Sequence, residues 1–397
     1  MAGVRDKRRR PQIATATVWL CVFAMFALRL QSFNALEEEL RRRRGWERWV
    51  GGRRLPTADT LGRVLAGTAL EEPRALVATL TRRAWRAKAI HGRPGETYRV
   101  VAVDGHELWA SRARCCAECL IREVRDGEGT VREYYHRVVV AQWVGVTPPG
   151  IVDLERVRPG EGEVVAARRL VTRILGRAGR LIDVITADAL YLEAPFIDTV
   201  LAAGKHVVIV MKQEARDLYQ DAARLRALQP PQVIVDGQRT TRLWDLPELE
   251  SFSTLHRRMR VVWADEQTVR HRRVGGVKHE VVEPGEWVWV TDLLPAAVPA
   301  RKIQQWGHDR WDLENRGFNE LATLWHMDHC FVHDPTAMEV LLLTLAAAFL
   351  LTYLFYERNL KPGEHRPGTR LALAARLREE FALLPGTPVW PEVQRSD

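Results

Sequence analysis

The chain has 397 residues, of which 46% are hydrophobic and 27% charged. That is the composition of a folded globular protein with room for two or three cores, and it excludes a mainly disordered or low-complexity chain. The net charge of +9 favours a polyanionic partner, nucleic acid or an anionic membrane surface; an arginine-rich face on a soluble enzyme is the other reading of the same number.

Five cysteines (Cys21, Cys115, Cys116, Cys119 and Cys330) are too few and too unevenly placed for a disulfide framework, which points to a reducing compartment. Two stretches lack charge, Pro11 to Leu28 behind a basic start and Val340 to Tyr356. Each is at the lower limit for crossing a bilayer and runs into charged helical sequence, so both are read as buried helices, with no stable membrane insertion expected.

The first ninety residues read as helical. An apolar helix to about Leu30 is followed by Asn34 as cap of ALEEELRRRR, by Thr57 or Asp59 as cap of TLGRVLAG, and by a helix over Glu71 to Lys88. In RRRRGWERWVGGRR, arginines alternate with Trp46 and Trp49. Arg41, Arg42, Arg43 and Arg44 are candidate DNA-phosphate contacts of a helix-turn-helix-like module, and a solvated face over a tryptophan core is the alternative.

From about Tyr98 the apolar period changes to two. YRVVAVDGHELWA is predicted as a strand ending at Asp104, and CLIREVRD and EYYHRVVVAQWVGV as two more strands of an antiparallel meander turning at Gly127-Glu128-Gly129. A helix over Gly162 to Leu175 leads to the strand LIDVITAD, ending at Asp188. A helix over Ala194 to Ala203 and a strand over Lys205 to Lys212 follow. This order is that of a ribonuclease-H-like mixed α/β sheet with flanking helices, whose functional groups gather at strand ends. Between Lys212 and Arg301 the strand-like runs PQVIVDG, RRMRVVWAD, TVRHRRVGG and EWVWVTDL form a β-rich insertion, closed by the linker LPAAVPA.

The segment RWDLENRGFNELATLWHMDHCFVHDP, Arg310 to Pro335, is predicted as one helix with Arg310 and Glu314 on one face. The predicted organisation is then a helical DNA-binding and assembly region (1–92), the first part of the core (93–212), the insertion (213–300), the last part of the core (301–358) and a C-terminal loop and helix (359–397).

Phosphodiester cleavage by two divalent ions about 3.5–4 Å apart requires hard oxygen ligands. Asp104 and Asp188 each follow an apolar run, where a carboxylate is costly unless it meets a cation or donors. Glu314 lies 126 residues after Asp188. Any one of these aspartates alone is better explained as a turn former; only the trio in this element order points to a metal site. Arg310 suits a phosphate or an ion pair with Glu314. His308 lies near the site in sequence.

Cys116 and Cys119 form a C-x-x-C, with Cys115 adjacent and His136 in the next strand, while His326, His329, Cys330 and His333 recur at helical spacing. A structural zinc needs four ligands, and the two clusters could meet; the usual second C-x-x-C is missing, so buried or surface residues are the alternative.

Around Asp104 (VAVDGHE), Asp188 (VITADALY) and Glu314 the sequence resembles the DDE-type bacterial insertion-sequence transposases. The resemblance spans about Tyr98 to Tyr356. It implies Asp104, Asp188 and Glu314 as catalytic ligands of two Mg2+ or Mn2+ ions. It also implies cleavage of double-stranded DNA at mobile-element ends and strand transfer into target DNA, by a homodimer on paired ends in the bacterial cytoplasm at the nucleoid. Two registers of the family's last-helix signature differ: Gly307 stands at the Tyr position and Leu321 at the Lys position. A nuclease of the same fold without strand transfer, and a catalytically inert DNA-binding or membrane-associated protein, are the rival readings.

Overall fold

The computed structural model describes residues 11–383 apart from 43, 51–53, 128, 275–276, 361–362 and 364–365. Five helices open the chain: α1 (Thr15–Ala27), α2 (Phe33–Arg41), α3 (Arg44–Val50), α4 (Ala58–Ala66) and α5 (Glu71–Arg86). Thr57 caps α4 by accepting from the Thr60 amide, as expected. The cap of α2 is Ser32 rather than Asn34: its hydroxyl accepts from Ala35 N at 3.0 Å, because the buried Phe33 already belongs to the first turn.

Trp46 is buried edge-on against Phe381, and Trp49 stacks on Phe23. The tryptophans of the basic segment are therefore core. Arg41 and Arg42 are exposed and pair with Glu37, Glu38 and Glu39 of their own helix. Arg43 and the side chain of Arg44 lie outside the described residues, as does Glu128 of the expected hairpin turn.

The central sheet is built from β1 (Val100–Ser111), β2 (Leu120–Asp126), β3 (Gly129–Val144), β4 (Gly150–Arg156), β5 (Val184–Ala187) and β6 (His206–Val210), with α6 (Glu163–Ala178) and α7 (Ala194–Ala202) as crossovers. Across the core the order is β4-β3-β1-β5-β6; β1, β3 and β4 pair antiparallel, and β5 and β6 run parallel to β1. This is the ribonuclease-H-like architecture that the element order predicts.

The expected three-strand meander needs correction. β2 pairs only with the first part of β3, Gly129 to Tyr135, whereas the third core strand is β4, which pairs with β3 from Val138 to Trp143. No predicted strand corresponds to β4, whose sequence carries Asp153, Glu155 and Arg156. Its charges are buried by partners from three other elements: Arg74 on α5 meets Asp153, Glu155 and Glu339, Arg173 meets Asp153 and Glu155, and Arg156 meets Glu339. A buried charge is tolerated only when paired and hydrogen-bonded in this way.

The insertion contains α8 (Asp217–Ala227) and the strands β7 (Gln232–Asp236), β8 (Arg239–Leu249), β9 (Met259–Val274) and β10 (Val277–Thr291). It is continuous with the core sheet, since Trp289, Val290 and Thr291 of β10 pair with Val210, Ile209 and Val208 of β6. The described residues of RRMRVVWAD and TVRHRRVGG from Met259 to Val274 belong to one long strand, and β8 is not among the predicted runs.

The helix of the last carboxylate begins earlier and ends sooner than Arg310 to Pro335. It starts as α9 (Ala300–Asp309), continues through Arg310 into a wider turn over Leu313–Phe318, and ends as α10 (Asn319–Trp325). In that turn the Asn319 amide donates to Glu314 O, five residues back, which makes it a π turn of the kind that recurs at functional sites. His326, left-handed at φ 58°, terminates it. Residues 326–334 form a loop, so His326, His329, Cys330 and His333 do not share a helix face. Asp334 then caps α11 (Pro335–Leu354), and α12 (Arg370–Leu383) closes the described chain.

Strand alternation sorts the core into two layers. Val101, Val103, Ile185, Val207 and Ile209 face α6 and α7. Val100, Ala102, Val184, Val208 and Val210 face the layer of α9, α10, α11 and the N-terminal helices. α11 is long and apolar enough to cross a membrane by length and composition, yet 83% of that window is buried in this layer, against α1, α4, α5 and β4.

Candidate active site

Parallel pairing aligns Val100 with Val184, Val101 with Ile185, Ala102 with Thr186 and Val103 with Ala187. The offset is constant at 84 residues, so Asp104 and Asp188 stand one step beyond the last pair, side by side. Both belong to the alternation that faces α9 and α10. The strand does not end at Asp104, as predicted; it runs on to Ser111 because β3 keeps pairing with β1 after β5 has stopped. Asp104 therefore sits where one neighbour leaves the sheet, which opens room beside it.

The Glu-bearing helix crosses over this point. Arg310 is 4% exposed, and its Nη1 donates to Asp104 Oδ2 at 2.7 Å and to Glu314 Oε1 at 2.8 Å. One guanidinium nitrogen thus holds two of the three carboxylates. Asp312 points elsewhere, accepting from Gly145 N at 3.2 Å. Asp188 accepts from Leu190 N at 2.9 Å through Oδ1, which turns the chain out of β5 and fixes the carboxylate at the strand end. Burial pushes the Asp104 carboxyl up to about 7; Arg310 opposes the shift, and the charges of Asp188 and Glu314 add to it. Three acids acting on one another across a partly buried point are the electrostatic arrangement that a cation relieves.

Sequence reasoning did not single out three neighbours. Glu163, at the start of α6, accepts from Tyr191 Oη at 2.7 Å and from Arg137 Nη1 at 3.1 Å. A Cβ at position 105 would collide with that Glu163 carboxylate, so the glycine after Asp104 lets a fourth acid lie behind the site. Burial, then the charges of Glu163 and Asp104, hold the Tyr191 phenol far above its ordinary range. The only sequence signal for Glu163 was an acid in a helix's first turn, which is common.

His308 is not part of this group. Its Nε2 lies 2.7 Å from Glu266 Oε1, and its ring packs edge-on against Trp287 and Trp289. Gly307 has a local cause: any Cβ there would run into the indole of Trp289. The insertion strand β10 thus fills the space beside the helix at the signature's Tyr position. Leu321 is fully buried, in the apolar layer rather than facing a phosphate.

Among the described residues, the group of His, Cys, Asp and Glu side chains drawn close enough to hold an ion is Cys116, Cys119, His136 and His333. The three carboxylates are not such a group, with Arg310 set between two of them.

Fold and carboxylates together define a ribonuclease-H-like protein with two acids just past the end of a parallel strand pairing. Residues 151–351, more than half of the chain, match the family described as Transposase DDE domain, and the chain belongs to that family. The matched span includes Asp188 and Glu314 and begins after the strand of Asp104. Comparison with curated proteins gives no match. The family is one of transposases, enzymes that act on DNA, and such enzymes generally use divalent metal ions.

Proposed function

We propose that this transposase cuts DNA at the ends of a mobile element and joins the freed 3′-hydroxyl to target DNA, with Asp104, Asp188 and Glu314 as ligands of two divalent ions. The observation that carries the reading is the parallel register that puts Asp104 beside Asp188, together with the shared Arg310 contact that brings Glu314 to Asp104. The donor set fits: all three side chains offer hard oxygen atoms, the chemistry preferred by Mg2+ or Mn2+. Asp104 stands between the other two electrostatically and suits the shared position, while Asp188 and Glu314 flank it. When bound, the ions would supply an activated water or hydroxyl and neutralise charge on both the attacking and the leaving oxygen.

The chain's own residues do the rest. The π turn presents Glu314 toward the sheet, and Arg310, a buried guanidinium whose Nη1 meets both Asp104 and Glu314, has the chemistry to pair with either a carboxylate or a DNA phosphate. Glu163, held by Tyr191 and Arg137, lies against Gly105, the residue after Asp104. The exposed Arg41 and Arg42 on the helical region 1–92 contact the DNA backbone, and two protomers act on paired ends.

The test uses the full chain with a plasmid carrying its own coding segment and flanking DNA, in Mg2+. Excised and joined products are expected for the native chain and not for Asp104→Asn. Cut ends that are never joined would assign a nuclease instead, and full binding with no Mg2+-dependent cutting would assign an inert DNA-binding protein.

A further inference from the structure

We propose that Cys116, Cys119, His136 and His333 form a structural zinc site, independent of the carboxylate centre. The four side chains come from three segments: the loop between β1 and β2, strand β3, and the loop between α10 and α11. Their ligand atoms all lie within 4.8 Å of one another.

Four of the six pairwise distances match those of a tetrahedron around one ion, and the other two lie within 4.8 Å. Bonds of about 2.3 Å to sulfur and about 2.0–2.1 Å to nitrogen place two sulfurs about 3.8 Å apart, and a sulfur and a nitrogen about 3.5 Å apart. Here Cys116 Sγ and Cys119 Sγ are 3.6 Å apart. His136 Nε2 lies 3.5 Å from Cys116 Sγ and 3.4 Å from Cys119 Sγ, and His333 Nε2 lies 3.4 Å from Cys119 Sγ.

Neither a disulfide nor thiol hydrogen bonding accounts for this cluster. A disulfide needs about 2.05 Å between sulfurs, and both cysteines are free. Thiol hydrogen bonds use each S–H once: Cys116 can donate to His136 Nε2 and Cys119 to His333 Nε2, which leaves the 3.4 Å approach of His136 Nε2 to Cys119 Sγ without a hydrogen. A pair of thiolates holding a cation satisfies all four at once. The Cys116 amide also donates toward Cys119 Sγ at 3.3 Å, a contact that stabilises a thiolate in a C-x-x-C turn. Trp109 packs against both imidazoles, with ring centroids 5.2 and 4.6 Å away, which fixes their planes and shields the site. Two sulfurs and two nitrogens in a closed set are a zinc donor set, with no position left for substrate.

The site lies where it can brace the active centre. His333 is on the segment that follows the helix of Glu314, and His136 is on the strand paired with that of Asp104. Zinc joins the two, in a region where the loop 326–334 contains no regular hydrogen-bonded element.

The full chain, purified without chelator and under reducing conditions, should carry about one zinc per chain by atomic emission. Replacement by Co2+ should give the visible bands of a tetrahedral thiolate site. Cys119→Ser and His333→Ala should each lower the metal content at least about tenfold, while Cys115→Ser and Cys330→Ser, adjacent but outside the set, should keep it. His333 is only half-buried, so its variant serves even where Cys119→Ser does not fold. A native chain that neither contains zinc nor takes up Zn2+ or Co2+ on titration, or a His333→Ala chain with undiminished metal, overturns the proposal. Metal content and spectrum are read without DNA, so a failure of the cleavage assay leaves this result unaffected.

Discussion

Asp104 and Asp188 are neighbours across two parallel strands, each one residue past the pair Val103 and Ala187. Strands in a sheet lie about 4.8 Å apart, so this register alone sets two carboxylates close together at a point where β5 leaves the sheet. Desolvation and mutual repulsion at such a place make an unpartnered pair expensive. The Arg310 contact that adds Glu314 completes the arrangement from the opposite layer.

The first prediction follows from that adjacency. Asp188→Asn is expected to reduce Mg2+-dependent DNA cleavage by about 100-fold or more, and Asp104→Asn the same. The double variant should fall little further, because residues acting as one unit are not additive. A nicking assay on plasmid DNA measures all three; wild-type rates in Asp188→Asn would remove that residue from the chemistry.

Restoring the signature's tyrosine should harm this chain. Gly307→Tyr pushes a side chain into the Trp289 indole, and overpacking of this kind costs about 1–3 kcal/mol. Urea unfolding should show a lower midpoint, partly recovered in Gly307→Tyr with Trp289→Ala. Equal midpoints for Gly307→Tyr and the native chain would show that the space is not closed.

The buried charges of β4 are a stability requirement. Arg74, 7% exposed, faces Asp153, Glu155 and Glu339. Arg74→Ala strips a guanidinium from buried carboxylates and is expected to cost about 3–5 kcal/mol, read as a lower thermal midpoint. A loss within experimental error would mean that Arg156 and Arg173 suffice.

Acid sensitivity should have a contribution from Glu266. Burial raises its carboxyl, but the His308 and Gln304 hydrogen bonds and the His308 charge outweigh this and hold it below its ordinary value of 4.5. A depressed acid stabilises the fold fully above the unfolded value, and the contribution is lost as pH falls through the lower folded value. Glu266→Gln should therefore flatten the fall in stability below about pH 4.5, measured by denaturant titration at successive pH values. An acid limb as steep as the native one would contradict this.

Arg41 and Arg42 distinguish a DNA face from a solvated one. If they neutralise phosphates, the Arg41→Ala, Arg42→Ala chain should lower the slope of log affinity against log salt by up to about 1.8. If their partners are only Glu37, Glu38 and Glu39, the slope stays unchanged, and stability shifts by less than about 1 kcal/mol.

The sequence by itself determined the local features: the cap Thr57, the apolar runs of β1, β5 and β6, the positions of Asp104 and Asp188 beside them, and the helical turn joining Arg310 to Glu314. These follow from period, capping and spacing, which act within a few residues of each other. Asn34 failed as a cap for an equally local reason, the burial of Phe33. Only the tertiary structure decided that β4 is a strand, since its acids become tolerable once Arg74 and Arg173 arrive from elsewhere. It also decided that Gly307 makes way for Trp289, that Glu163 lies against Gly105, and that His333, placed at helical spacing by the sequence reading, instead reaches Cys119 from a loop. Each of these depends on partners far apart in the chain, whose approach is set by sheet register and layer packing rather than by any pattern visible along it.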